Sequence, residues 1–157
     1  MLPGVFLTTT GTPGTDQLLM AALLHAGDGS LITGLAALRR YKIRVPAARV
    51  IDVVIPAGRH RVSRDFVVVH RTTRIPRRYL ADGPIQFVPP ARAVADAARG
   101  LTRVADVRAV VAGAVQQGCC TVPEVAAELA GGPRRPIPEN GICHPPTGSR
   151  RCAGMLG

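Results

Sequence analysis

Apolar and polar positions follow two different rhythms along this chain, and the change of rhythm divides it. "GVFLTTT" (4–10) reads as a strand, and "GTPGT" (11–15) turns the chain. Thr12 is placed to cap a helix there, with Pro13 at its first position. Over 14–26, Leu18, Leu19, Ala22 and Leu23 recur at helical spacing. "GDGS" (27–30) breaks that helix, and Ser30 is predicted to cap a second one reaching about Tyr41. From residue 51 the period falls to two. Ile51, Val53 and Ile55 share one strand face; in "FVVVHRT" (66–72), Phe66, Val68 and His70 face one way and Val67, Val69 and Arg71 the other. Pro56 and Gly58 open the connection between these runs, and "DGPIQFV" (82–88) adds a short strand after a turn.

Helical spacing returns at Pro89. "PPARAVADAARG" (89–100) has prolines at its start, Gly100 at its end, and Arg92 and Asp96 at i,i+4. Thr102 is predicted to cap a helix to about Gln117 with Val104, Val107, Val111 and Ala114 on one side. "TVPE" (121–124) matches a capping box whose helix closes at Gly131 and Gly132. The last 26 residues contain five Pro and five Gly, a density that specifies no packed core. The pattern predicts an α+β domain over 1–131. It has a small, mainly antiparallel sheet, packed helices and a helical C-terminal part, and a Pro/Gly-rich disordered tail follows over 132–157.

Composition adds a core of Ala, Val, Leu and Ile, because hydrophobic residues make up 46% of the chain and aromatics only 3%. Charge changes the picture more. The net charge of +10 sits in one segment: residues 39–78 hold twelve Arg or Lys against Asp52 and Asp65, whereas 1–38 carry only Asp16 and Asp28. Such a field attracts phosphates, acidic proteins or anionic lipid head groups. The apolar run "LLMAALLHAG" lacks a basic flank and is too short for a bilayer. With no secretory signal, the four cysteines are read as reduced thiols of a cytoplasmic protein.

Residue supply excludes several chemistries. Lys42, the sole lysine, follows Tyr41, so no Walker loop forms; "GDGSLI" lacks the third glycine of a dinucleotide fingerprint. A restriction-type nuclease site joins a carboxylate to a lysine two residues on, but Arg40 stands there; no two acids are spaced D-x-D for paired metals. Asp52 and His70 are placed to face each other across strands as a base and its orienter, without a convincing nucleophile. His25 reads as a structural histidine. Cys119, Cys120, Cys143, His144 and Cys152 are zinc-ligand types without C-x-x-C or H-x-x-x-H spacing. A non-catalytic protein is expected, without cofactor, metal or small-molecule substrate.

Arginines crowd the two β-runs and the link after them. Arg59, Arg61, Arg64, Arg71 and Arg74 are the candidate contact residues. A basic β-ribbon can lie in a groove of DNA and pair with phosphates. The same residues also suit an acidic protein partner, or a solvated face that guards a sheet edge.

In their order, "LPGVFLTTTGTP", "LLMAALLHAGDGSLITGLAALRRY", "DVVIPAGRHR", "VVVHRTTRIP" and "PPARAVADAARG" resemble the AbiEi-type antitoxin family of type IV toxin–antitoxin systems. The likeness covers about residues 3–131 and is nearest to versions from GC-rich, actinobacteria-like genomes described as transcriptional regulators. It implies an operator-binding N-terminal winged helix-turn-helix and a mixed α/β domain needed for antitoxicity. The toxin it implies is a nucleotidyltransferase, neutralised without a stable complex. Some relatives continue into a domain like a very-short-patch-repair nuclease, so the alternative reading is a DNA-associated accessory domain of such a fusion. Here the first strand resembles the wing or the link after it, and the expectation is a reading frame shortened at the start and shifted near residue 132.

Overall fold

The computed structural model describes residues 2, 4, 5 and 11–132. Helix α1 (Thr15–Ala26) begins two residues later than Pro13 suggested, because Gly14 is its N-cap and donates its N–H to Gln17 Oε1 at 2.8 Å. Strand β1 (Leu31–Thr33) follows, then helix α2 (Gly34–Arg40). Strands β2 (Ile51–Pro56), β3 (Val67–Thr72), β4 (Leu80–Asp82) and β5 (Ile85–Phe87) precede helices α3 (Pro90–Gly100), α4 (Val104–Gln116) and α5 (Val122–Ala130). This is the expected α+β class with a helical C-terminal part. The predicted strand over 4–10 falls largely, and the tail from 133 entirely, outside the described residues.

The sheet runs β3-β2-β1-β5-β4 and is mixed. Pairs β1·β2 and β4·β5 are antiparallel, whereas β1·β5 and β2·β3 are parallel. This departs from the mainly antiparallel sheet expected. Consecutive β-runs with a short link suggest a hairpin, yet Ile51 to Pro56 pair in parallel with Val67 to Thr72. The ten residues 57–66 must therefore return along the strand, roughly 20 Å, which an extended chain of that length can span without a crossover helix.

The central strand is the element that local pattern missed. Ser30 caps no helix; its hydroxyl donates to the Leu23 carbonyl at 3.4 Å, and Leu31, Ile32 and Thr33 form β1. All three are buried. A strand covered on both faces shows no alternation, and three residues are too few to separate it from a helical start. Similarly, α4 starts at Val104 with Arg103 as an N-cap that makes no side-chain cap bond, not at Thr102. Its packed residues are Val110 and Ala114, while Val104 is 65% exposed. The Thr121 capping box forms as expected: Glu124 N–H donates to Thr121 Oγ1, and Thr121 N–H donates to Glu124 Oε2.

Helix ends are closed by recognisable devices. Beyond α2, Lys42 takes φ 61, its N–H reaches the Arg39 carbonyl, and Ile43 N–H reaches the Leu38 carbonyl. This is a Schellman motif, with the buried Ile43 supplying its apolar contact. The core joins Leu19, Ala22, Leu38, Val53, Ile55, Phe87, Val94 and Val110, chiefly small aliphatics as the composition requires. Tyr41 donates to the Val88 carbonyl at 2.7 Å, and burial, with Cys119 nearby, pushes its hydroxyl pKa up to about 12.

Candidate nucleic-acid interface

The arginine crest is an arm folded back along the sheet edge. Ile51 and Ala57 N–H groups donate to the Phe66 and Thr72 carbonyls, so the even-numbered residues of β3 face β2. The N–H groups of Val67 and Val69 point the other way. Val67 exchanges both backbone hydrogen bonds with Arg64, and Val69 N–H donates to Ser63 Oγ at 2.9 Å. Asp65, at φ 51, takes the left-handed conformation that a two-residue hairpin turn needs at its first central position. The crest thus runs antiparallel beside β3 and covers the N-terminal part of its open edge.

Helix α1 fixes the arm from the side. A carbonyl only accepts, so His25 Nε2–H donates to the Val62 carbonyl at 2.9 Å. The guanidiniums of Arg59 and Arg61 lie over Gly27, each 3.6 Å from where a Cβ would stand. Gly27 has φ 85 and ends α1, so both cations sit at the carbonyl end of a helix dipole. Arg71 Nη1 donates to His60 Nδ1 at 3.3 Å, which makes His60 an acceptor at Nδ1. Leu24, His25, His60, Arg61, Val62 and Arg71 line an open groove of about 760 Å³.

All five predicted contact residues are exposed, but they do not form one group. Arg59, Arg61 and Arg64 sit on the arm, and Arg71 faces it from β3. Arg74 belongs elsewhere: it pairs with Glu128 at 3.5 Å, on the side of the C-terminal helices. Among the described residues, no carboxylate forms an ion pair with Arg59, Arg61, Arg64 or Arg71. Asp65, on the turn of the arm, interacts with the charges of Arg64 and His25, which leaves Arg59, Arg61 and Arg71 as the less compensated part of the central charge.

On the opposite sheet face, Asp52 and His70 meet as their spacing predicted, with His70 Nε2 donating to Asp52 Oδ1 at 2.7 Å. That bond raises the imidazole pKa above its ordinary 6.5 against an opposing effect of burial, and the charges of Asp52 and Asp96 add to it. Among the described residues, neither side chain hydrogen-bonds a hydroxyl or thiol that could serve as nucleophile. Burial, then the neighbouring Cys119 and Glu124, push the Cys120 thiol pKa up, away from the reactive thiolate range. Among the described residues no cluster of three or more His, Cys, Asp or Glu is placed to hold a metal ion. Cys143, His144 and Cys152 lie outside them.

Sequence reasoning missed a second assembly beside this pair. Asp96 accepts from Thr33 Oγ1 at 2.7 Å, Arg92 Nε at 2.9 Å and Arg99 Nη1 at 2.8 Å. Arg92 also donates to the Arg74 carbonyl and approaches Glu128, while Arg99 Nη2 donates to the Glu128 carbonyl at 2.9 Å. Spacing showed Arg92 and Asp96 only as an i,i+4 pair, whereas in the fold Arg92 is 7% exposed. The available signal was Arg92, Asp96 and Arg99 on one face of a helix otherwise rich in alanine. This network joins α3, α5 and β1 and engages both arginines of α3.

Among the described residues no helix is long and apolar enough to cross a membrane. No protein-family model, curated protein or solved structure matches this chain.

Proposed function

We propose that this chain is a non-catalytic regulatory domain of the AbiEi antitoxin type, acting on nucleic acid through the basic arm. The observation that carries the reading is the contrast between two sets of arginines. Arg92 and Arg99 are paired with Asp96 within the fold, and the exposed Arg74 shares Glu128 with Arg92. Arg59 and Arg61 are displayed on an arm pinned to β3 and α1 with no ion-pairing carboxylate among the described residues, while Arg64 has Asp65 beside it on the turn. A strip of exposed guanidiniums suits phosphate contacts, which position a protein on nucleic acid without reading sequence. The chain has two tyrosines, three phenylalanines and no tryptophan, too few for a surface on which bases stack.

Under this reading the domain performs no chemistry of its own, and a nucleotidyltransferase toxin is its functional counterpart in the cytoplasm. The test is fluorescence anisotropy on duplex DNA from the gene's own upstream region, titrated with salt. Affinity of the wild type is expected to fall with a log–log slope of about 0.9 per phosphate neutralised. Arg59→Ala/Arg61→Ala/Arg64→Ala should flatten that slope while leaving the circular dichroism spectrum unchanged. Absence of binding at low salt would refute the reading.

A further inference from the structure

We infer that the groove between the last turn of α1 and the basic arm is a seat for one backbone phosphate of a nucleic acid, held without regard to sequence. The inference rests on the nucleic-acid reading above and assigns it a place. Three features of the groove support it.

Its polar lining suits an anion. Arg61 and Arg71 are obligate donors. Because His60 accepts from Arg71 at Nδ1, it carries its proton on Nε2 and adds a donor. Among the described residues no carboxylate lines the groove, the nearest charge of that sign on the arm being Asp65 on its turn.

Its walls are fixed before any ligand arrives. The His25–Val62 bond ties the arm to α1, and the Ser63–Val69 bond and the Arg64–Val67 turn tie it to β3. A site held this way loses little conformational freedom on binding.

Its size and rim suit a nucleotide unit rather than a bare ion. About 760 Å³ exceeds what a phosphate alone fills. Leu24 and Val62, 63% and 80% exposed, stand at the groove as apolar surface for a sugar. Among the described residues no Phe, Tyr or Trp lines it, and His25 and His60 are already engaged by Val62 and Arg71, so the contact would rest on the phosphate rather than on the base. An acidic peptide would bring carboxylates of matching charge, but nothing in the groove would engage its backbone in register.

The test compares two charge-matched double variants in the same salt-titrated anisotropy assay. Arg61→Ala/Arg71→Ala empties the groove of its guanidiniums; Arg77→Ala/Arg78→Ala removes equal charge from the exposed link beyond β3. The groove pair should lose about tenfold or more in affinity and about 0.9 from the salt slope, the signature of one phosphate. The link pair should lose clearly less. In parallel, inorganic phosphate titrated into labelled wild-type protein should move the amide signals of His60, Val62 and Arg71 together, and a poly-glutamate peptide should not.

Equal losses from both pairs, with wild-type binding intact, would overturn the groove and leave the nucleic-acid reading standing as a diffuse field. Tighter binding of poly-glutamate than of duplex would overturn both in favour of an acidic protein. No DNA binding by the wild type at low salt would refute the underlying reading, and the groove with it.

Discussion

Replacing Asp96 with alanine separates two views of the same pair of residues. Taken as an exposed i,i+4 pair, Arg92 and Asp96 would contribute about 0.3–0.5 kcal/mol. In the fold their side chains are 8% and 15% exposed, and Asp96 accepts from three donors on β1 and α3. Removing it leaves the Arg92 guanidinium buried, with the Arg74 carbonyl and a Glu128 contact at 3.7 Å as its remaining partners. Breaking a buried pair from one side costs about 3–5 kcal/mol. That is a large part of the roughly 5–15 kcal/mol that holds a domain folded.

Urea unfolding followed by far-UV circular dichroism is the suitable assay, because the chain has no tryptophan. Asp96→Ala should lose about 3 kcal/mol or more, on the order of 10 °C in Tm. Asp96→Asn, which keeps an acceptor for Thr33, should lose less. Arg92→Met/Asp96→Leu, which removes both charges, should recover part of the loss. As a control, Asp82→Ala breaks the half-exposed Arg40–Asp82 pair and should cost less than about 1 kcal/mol. A loss below about 0.5 kcal/mol for Asp96→Ala would refute the reasoning, since the network would then be solvated.

His70 gives a pH dependence. Its pKa is raised in the fold chiefly by the bond to Asp52, so the stability it contributes is complete below about pH 6.5 and lost as pH rises through the raised value. The Tm advantage of wild type over His70→Gln should therefore be larger at pH 5.5 than at pH 9; an unchanged difference would count against the pair. Gly34 has φ 61, and a Cβ there would stand 3.1 Å from Asp52 Oδ2. Gly34→Ala should cost about 1–2 kcal/mol for the backbone alone, whereas Gly58→Ala, with nothing within 4 Å, should be close to neutral by the same unfolding assay. Phe87 is fully buried in a core of small aliphatics, and Phe87→Ala should cost about 3–5 kcal/mol.

Periodicity located α1, β2, β3 and α4, and punctuation by Pro, Gly and a capping box located β5, α3 and α5. It failed at Leu31–Thr33 and Leu80–Asp82, three-residue strands whose identity comes from neighbours distant in sequence. It also could not show that β2 and β3 run parallel, because strand direction depends on the path of the ten-residue return. The Asp52–His70 meeting was legible: both lie on strands, and the pairing of Val54 with His70 brings them together. The Asp96 hub was not, because burial of Arg92 is a property of how α3 and α5 dock. For the arm, composition identified the arginines, but only the return path shows that Arg74 belongs to a different neighbourhood from Arg61 and Arg71.

The arm has a second consequence, for self-association. A long unpaired strand border is a template on which a further chain can add, and β3 would present a longer one if Ser63 and Arg64 did not occupy the outward N–H groups of Val69 and Val67. The strip that displays the guanidiniums is therefore also the seam that keeps the sheet from extending into a neighbour. Weakening it, as Ser63→Ala would, should expose β3 and loosen the arm that carries the proposed phosphate contacts together. In such a variant, poor recovery of monomer and poor binding would have a single origin.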